Sequence, residues 1–284
     1  MTGELLQYGF MQRALIAALL VGLTAPSVGV YLVQRRLALI GDGMGHVALA
    51  GVALGVLTST QPVLTALGAA VAGAVAIELM RASGRSSGDV ALAIMFYGGI
   101  ASGVVLISRA PGGTPANLNA YLFGAITTTS RADLVVFAVL AALVLLATLG
   151  LAPRFFAVSN DEEYARAAGL PVLGYNLLLA VITAATVVIS MRVVGLLLIS
   201  ALMVVPVATA QLVTGSFRTT VLLSLGIGLV VAVGGTAGSY YADTPSGGSI
   251  VVLAVATFAV TSVATRLRSA LTRRTREQPG PVPG

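Results

Sequence analysis

Asp42 and His46 are the two side chains in this sequence whose types and spacing could bind a metal ion. They lie four positions apart in Gly41-Asp42-Gly43-Met44-Gly45-His46, where an apolar run begins, and His46 is the only histidine in the chain. On a helix such residues share one face, with Cβ atoms about 5–6 Å apart. A carboxylate beside an imidazole suits zinc and also manganese or iron. Since ionisable groups inside membrane segments are costly, each is a functional hypothesis.

Each of these side chains also has a structural interpretation. Asp42 could simply cap the N-terminus of the helix that follows, which is a common use of aspartate. His46 could be a histidine hydrogen-bonded inside a helix bundle. From the residues alone, the metal site and these structural roles both stay open.

The composition identifies an integral membrane protein. Of the 284 residues, 57% are hydrophobic and only 9% are charged, whereas soluble domains carry about 25% charged residues. The chain has no cysteine, which excludes thiolate metal sites and disulfides within it. All of its basic residues are arginine, and a Walker A loop needs a lysine. The chain therefore cannot hydrolyse ATP by that route.

Apolar runs predict an all-α bundle of eight or nine transmembrane helices. The runs cover about 14–33, 43–58, 62–80, 89–108, 133–152, 219–238 and 249–265, and residues 172–214 are long enough for two spans broken near residue 192. We predict a membrane domain over residues 1–266 and a basic, disordered cytoplasmic tail over 267–284.

The arginines favour nine spans with the N-terminus outside, by the positive-inside rule. That arrangement puts Arg35/Arg36, Arg81/Arg85, Arg154/Arg166, Arg218 and the tail in the cytoplasm, and it leaves Arg109, Arg131 and Arg192 outside.

Three further charged residues are given structural roles. We expect Glu78 to extend to the membrane interface near Arg81, and Arg192 to form a salt bridge at the surface. Asp243, followed by Thr244 and Pro245, is expected to form a turn.

The most charged interior stretch lies in the segment 153–171 and reads Asp161-Glu162-Glu163-Tyr164-Ala165-Arg166. Ser159 or Asn160 could cap a short helix with the acidic residues in its first turn, and Gly169 would end it. From the residues alone, a docking element and a merely solvated connection are equally compatible with this pattern.

Several ordered motifs resemble the permease subunits of the zinc/manganese ABC importer family, and together they extend over about residues 13–266. The strongest match is Arg-Arg-x4-Gly-Asp-x3-His-x2-Leu-x-Gly-x3-Gly, from Arg35 to Gly55. The others are Tyr121-Leu122-Phe123-Gly124, the run from Val194 through Pro206 to Ala210, and Tyr241-Ala-Asp243-Thr-Pro245-Ser-Gly247. The chain departs from the family at Gly43 and Gly45, where helix-favouring residues are more usual.

The resemblance implies a multi-pass permease in the plasma membrane of a prokaryote, which is not itself an enzyme and has no tightly bound cofactor. Its expected partners are a second permease copy, cytoplasmic ATP-binding subunits, an extracytoplasmic metal-binding protein and membrane lipid, with no nucleic acid. Asp42 and His46 would be transient metal ligands. The segment from Asp161 to Gly169 would be the ATPase-coupling helix, with Asp161, Glu162, Glu163, Ala165 and Gly169 as its residues.

The cargo and the energy source are separate questions. We expect zinc because the site offers a nitrogen ligand, with manganese or iron as alternatives, since the Irving–Williams order gives no selectivity by itself. A metal transporter driven by an ion gradient is the rival function. It would usually need several buried carboxylates, and only Asp42 is a convincing one by sequence.

Overall fold

The computed structural model describes residues 7–84, 88–109, 122–124 and 129–276, and this part of the chain contains helices and no strands. The helices are α1 (Gly9–Gln34), α2 (Ile40–Leu57), α3 (Pro62–Ala82), α4 (Gly88–Ser108), α5 (Arg131–Gly150), α6 (Ala152–Asn160), α7 (Glu162–Ala167), α8 (Val172–Val193), α9 (Ile199–Gln211), α10 (Phe217–Ala242) and α11 (Ser246–Arg276), with a 3₁₀ turn at Leu196–Leu198 before α9. The predicted all-α membrane bundle is confirmed.

Eight of these helices are long and apolar enough to cross a membrane, and α9 is shorter. Contacts between helix ends show that the chain also crosses between α8 and α10. Arg192, near the end of α8, pairs with Asp133 at the start of α5. At the other end of α5, the Thr148 carbonyl accepts a hydrogen bond from Tyr31, whose ring contacts Phe217 at the start of α10. Residues 194–216 therefore make a ninth crossing.

The arginines are unequally divided between the two ends of the bundle. One end, here called the arginine-rich side, carries the end of α1, the start of α2, the end of α3, the α6–α7 segment and the start of α10; its arginines include Arg35, Arg36, Arg81, Arg154, Arg166 and Arg218. The opposite side carries Arg13, Arg109, Arg131 and Arg192. The positive-inside rule assigns the arginine-rich side to the cytoplasm.

Small residues allow the central helices to approach closely. A Cβ on Gly22 would lie 2.8 Å from the Gly228 carbonyl oxygen, so α1 and α10 touch at their backbones. Gly51 and Gly55 of α2 pack in the same way against Ala66 and Pro62 of α3. The small-xxx-small pattern thus corresponds to a helix–helix contact in the structure. Small residues let the two backbones approach closely, and the van der Waals packing that results stabilises helix association in a membrane.

The crossing from α8 to α10 is interrupted where three of the sequence motifs meet. Gly195 has φ +84° and lies against Phe123 and Gly124, and Gly124 itself has φ +74°. Gly247 packs against the Val194 carbonyl, and its Cβ would lie 2.7 Å from the Phe123 carbonyl oxygen. Glycine accepts the left-handed conformation without steric cost. The three motifs therefore meet in one close contact between their backbones.

The last helix extends beyond the predicted membrane domain. The tail was predicted to be disordered from residue 267, whereas the backbone is helical through Arg276. Residues 277–284 lie outside the described part of the chain, as do Tyr121 and Arg85.

Candidate metal pathway and docking helix

The N-terminus of α2 positions Asp42 and His46. The helix is capped by Leu39 without a side-chain hydrogen bond, and Asp42 is its third residue. Asp42 is therefore not the N-cap, and this structural interpretation is wrong. The partial positive charge of a helix start favours a carboxylate in the first turn. Both Asp42 and His46 are half-buried.

Helix α4 covers the His46 side of this site. The Phe96 ring meets the imidazole edge-on, with ring centroids 4.6 Å apart. A Cβ on Gly99 would lie 2.8 Å from the Val47 nitrogen and 2.9 Å from the His46 carbonyl carbon. Glycine at this position allows α4 to lie directly on the backbone of α2, and this contact holds Phe96 against the imidazole.

The interrupted crossing covers the Asp42 side. Leu196 of the 3₁₀ turn lies beside Gly45, and a Cβ on Gly41 would be 2.7 Å from Ser200 Oγ at the start of α9. The Ser200 hydroxyl also lies beside the Asp42 carboxylate. Discontinuous helices of this kind form ion sites in several transporter folds, because their ends expose polar groups inside the membrane.

One buried polar atom at this site, His46 Nδ1, lacks a hydrogen-bond partner within the described residues. Buried polar atoms are normally satisfied, so an exception needs an explanation. The interpretation of His46 as a hydrogen-bonded core histidine is not supported for this nitrogen, which remains available to a ligand.

One chain offers an incomplete set of metal ligands. Within the described part of the chain, no three residues of the types His, Cys, Asp and Glu come together in a group that could hold a metal. Asp42 and His46 are a pair, whereas closed structural zinc sites use four protein ligands. An incomplete set is what a transient site needs, since a permeating ion must also leave.

Two buried acids that the sequence analysis did not treat as buried are both neutralised by arginine. Glu78 is only 4% exposed and pairs with Arg81 at 2.9 Å, so it does not extend into the interface as predicted. Asp133 pairs with Arg192 at 3.1 Å, and both side chains are largely buried, so this salt bridge is not at the surface. The Ser130-x-x-Asp133 spacing is typical of the capping box that the structure shows, but nothing in this spacing indicates the pairing with Arg192.

Asp42 differs from these acids because it forms no ion pair with an arginine in the described part of the chain, where the ion pairs join Arg35 to Glu162, Arg81 to Glu78 and Arg192 to Asp133. It is therefore a half-buried carboxylate that no arginine neutralises and that can attract a cation.

The segment after α6 forms the predicted short helix. Asp161 is its cap, accepting a 2.9 Å hydrogen bond from the Tyr164 backbone N–H, and Gly169 ends it with φ +82°. The cap was predicted at Ser159 or Asn160; α6 extends through both, which moves the cap to Asp161.

Of the five predicted coupling residues, Asp161 and Gly169 mark the ends of this helix, and the other three divide between its two faces. Ala165 is fully buried against Val158 and Val172, and Glu162 turns toward the bundle, where it pairs with Arg35 at 2.6 Å. Glu163 and Tyr164 are exposed on the outer face, and 69% of Tyr164 is open to solvent. Glu162 and Ala165 therefore attach the helix, while Glu163 and Tyr164 are free to meet a partner.

Asp243 lies in a turn, as predicted. It is the exposed residue that follows α10, with φ 50° and ψ 46°, and the next backbone N–H, from Thr244, returns to the Ser239 carbonyl. Aspartate tolerates this left-handed conformation better than most residues.

Comparisons with known proteins agree with this architecture. A family model described as "ABC 3 transport family" matches residues 7–265. A probable metal transport system membrane protein of Treponema pallidum is 33% identical over 88% of this chain and 94% of its own. The manganese transport system membrane protein MntC of Halalkalibacterium halodurans is 32% identical over 95% of this chain and 92% of its own.

A solved structure shares the fold over nearly the full length. The structure of PsaBC from Streptococcus pneumoniae in complex with Fab superimposes with a TM-score of 0.82 at 30% identity, covering 92% of this chain and 95% of that one.

Proposed function

Because this chain belongs to the ABC 3 transport family and is a multi-pass protein of the bacterial plasma membrane, we propose that it is the permease subunit that carries a divalent first-row transition metal ion into the cell. The observation that carries the proposal is the site on α2. Asp42 has no arginine partner in the described part of the chain, and the buried His46 Nδ1 has no hydrogen-bond partner there. Asp42 lies beside Ser200 at the interrupted crossing, and His46 lies against Phe96 of α4.

The pair fits more than one metal. A carboxylate and an imidazole suit manganese, zinc and ferrous iron, and the imidazole led us to expect zinc. The similarity to MntC, whose name refers to manganese, supports manganese as the cargo as much as the imidazole supports zinc. If two copies of the chain face each other across the pathway, they would offer two carboxylates and two imidazoles, which is enough to replace much of the hydration shell of an ion.

The energy would come from separate ATP-binding subunits, because this chain has no lysine for a Walker A loop. The family resemblance adds an extracytoplasmic metal-binding protein that delivers the ion on the opposite side. The proposed transport is alternating access, in which ATPase closure, transmitted through α7, turns the dimer from outward-open to inward-open.

Metal accumulation in cells tests the site. Cells that express the whole transporter from its operon would be compared for wild type, Asp42→Ala and His46→Ala, with manganese, zinc and iron measured together by elemental analysis. We expect both variants to lose accumulation of one metal to the level of cells without the permease. The metal that is lost identifies the cargo.

Asp243→Ala is the matched control, because it removes an exposed acid from a turn. Membrane levels and ATPase co-purification would be checked for every variant. Normal accumulation by both site variants would contradict the pathway, and accumulation that persists without the ATPase subunit would favour the gradient-driven alternative.

Tyr164→Ala tests whether α7 docks the ATPase. Because 69% of this side chain is exposed, its truncation should cost the permease little stability. It should weaken co-purification of the ATPase about tenfold, which is typical for an aromatic residue at an interface centre. Tyr97→Ala is the control, since Tyr97 on α4 is exposed to the same extent. Equal ATPase recovery by the two variants would contradict docking through Tyr164.

A further inference from the structure

The turn between α1 and α2 is fastened to the α6–α7 segment by two side-chain contacts. Arg35 Nη2 donates to Glu162 Oε1 at 2.6 Å, and Gln34 Nε2 donates to Asn160 Oδ1 at 3.2 Å. These residues are more than 120 positions apart in sequence. The proposed docking helix is thus tied directly to the chain segment that leads into the proposed metal pathway.

The ion pair is built into the structure more firmly than an ordinary surface pair. The Arg35 side chain is only 5% exposed. Asn176 of α8 donates a second hydrogen bond, of 3.2 Å, to the same Glu162 oxygen. Burial lowers the pKa of Arg35 and nearby Arg81 lowers it further, while Glu162 and Glu78 raise it. Glu162 and Glu78 therefore offset part of the cost of burying the guanidinium charge, and a charge-assisted bond of this kind is stronger than a neutral one.

Arg35 lies in the turn that leads into the end of α2 where the proposed metal ligands lie. The helix begins at Ile40 and Asp42 is its third residue, so Arg35 and Asp42 are seven positions apart in sequence. The other attachment of α7, Ala165, packs against Val158 of α6 and Val172 of α8. The ion pair is thus a direct side-chain connection from α7 to the segment that carries Asp42.

We propose that Arg35 and Glu162 are positioning residues that deliver the displacement of α7 to the Asp42 end of α2. This inference rests on the proposed function, because it assigns a route between the ATPase and the metal site. When a docked ATPase moves α7, the ion pair carries the turn and the first turn of α2 with it. The opening of the site thus follows the movement of the docking helix.

An ion pair that only stabilises the structure would show the same contacts, so the test must detect movement of α2. The chain contains no cysteine, and Leu39, the residue before α2, is 64% exposed. A single Leu39→Cys substitution, labelled with an environment-sensitive fluorophore, would report on the start of α2 in the permease–ATPase complex. The probe signal would be recorded on addition of ATP and vanadate, and manganese uptake per ATP hydrolysed would be measured in proteoliposomes.

We expect a nucleotide-dependent probe signal in the otherwise wild-type complex and its loss in Arg35→Ala and in Glu162→Ala. Metal uptake per ATP should fall about tenfold in each variant, within the range seen for residues on a coupling route. The double variant should be no worse than either single variant, because both remove the same link. Arg36→Ala is the control, since Arg36 is the exposed neighbour in the same turn.

Two outcomes would overturn the inference. In the first, Glu162→Ala keeps the wild-type probe signal and the wild-type metal uptake per ATP, and the complex loses only thermal stability. The ion pair would then have a structural role alone. The other is equal loss in Arg36→Ala, which would make the effect one of general charge. A complex that shows the probe signal, and its loss in Glu162→Ala, but takes up no manganese, zinc or iron would contradict the proposed function and leave the link supported.

Discussion

Gly29→Ala is expected to destabilise the protein strongly. Gly29 lies in α1, and a Cβ there would collide with the Met203 carbonyl group of α9, whose carbon would be 2.7 Å away. Neither partner is a flexible side chain, so relief requires one helix to move. Two turns earlier, on nearly the same face, α1 is held against α10 by the contact of Gly22 with Gly228. We expect a loss of about 3 kcal/mol, at the upper end of overpacking costs, out of a total stability of about 5–15 kcal/mol.

Gly226→Ala provides the matched control. Gly226 is also a helical glycine, in α10, but a Cβ there would meet no atom within 4 Å. Alanine should be neutral or stabilise the helix by up to about 1 kcal/mol, because it loses less conformational entropy than glycine. Thermal unfolding in detergent and the amount of protein in the membrane would measure both variants. Similar melting temperatures for the two would show that α1 and α9 are less tightly packed than described.

Arg192→Met is expected to have a comparable effect through electrostatics. It would leave the buried Asp133 carboxylate without the guanidinium that now lies 3.1 Å away. Removing one partner of a buried ion pair costs about 3–5 kcal/mol, because the remaining charge is desolvated and uncompensated. Asp133 also caps α5 by accepting hydrogen bonds from Ser130, so it cannot turn away without losing that cap. Denaturant or thermal unfolding of the purified permease measures the loss.

A double-mutant cycle separates the pair from its surroundings. Asp133→Asn keeps the shape of the side chain and an oxygen that can cap α5, and it removes the charge. In Asp133→Asn/Arg192→Met, the further loss caused by methionine should therefore be much smaller than in the wild-type background, with a coupling energy within the range of about 0.5–3 kcal/mol. Additive losses would show that Arg192 acts through other contacts and not through Asp133.

The sequence was sufficient for the features that depend on local pattern. Apart from the extended end of α11, apolar runs placed the long helices to within about five residues, because a bilayer accepts backbone only when its hydrogen bonds are satisfied within the segment. The i, i+4 spacing placed Asp42 and His46 on one face, since both lie on the same regular helix. The motif resemblance gave the family, and the match over residues 7–265 confirms it.

The sequence could not reveal features that depend on distant partners. Nothing near residue 133 indicates Arg192, which lies 59 positions away. The acidic run at Asp161–Glu163 looked uniform, yet one member pairs with the bundle and another faces outward, because a short helix turns successive side chains by about 100°. Ser200 gave no signal either, since a serine near an apolar helix start is ordinary. These positions follow from tertiary packing alone.

The position of Asp42 within the bundle has an electrical consequence. It is the third residue of α2, and His46 is the seventh, so both lie within about 11 Å of the arginine-rich end of that helix at a rise of 1.5 Å per residue. Gly45, which lies between them, is beside Leu196, only four residues after Arg192 of the opposite side, so the pair lies between the two ends of the bundle. Charge moving through the membrane potential gains about 2.3 kcal/mol per elementary charge per 100 mV. An inside-negative potential would therefore assist both the filling of this site from the opposite side and the release of the ion toward the cytoplasm.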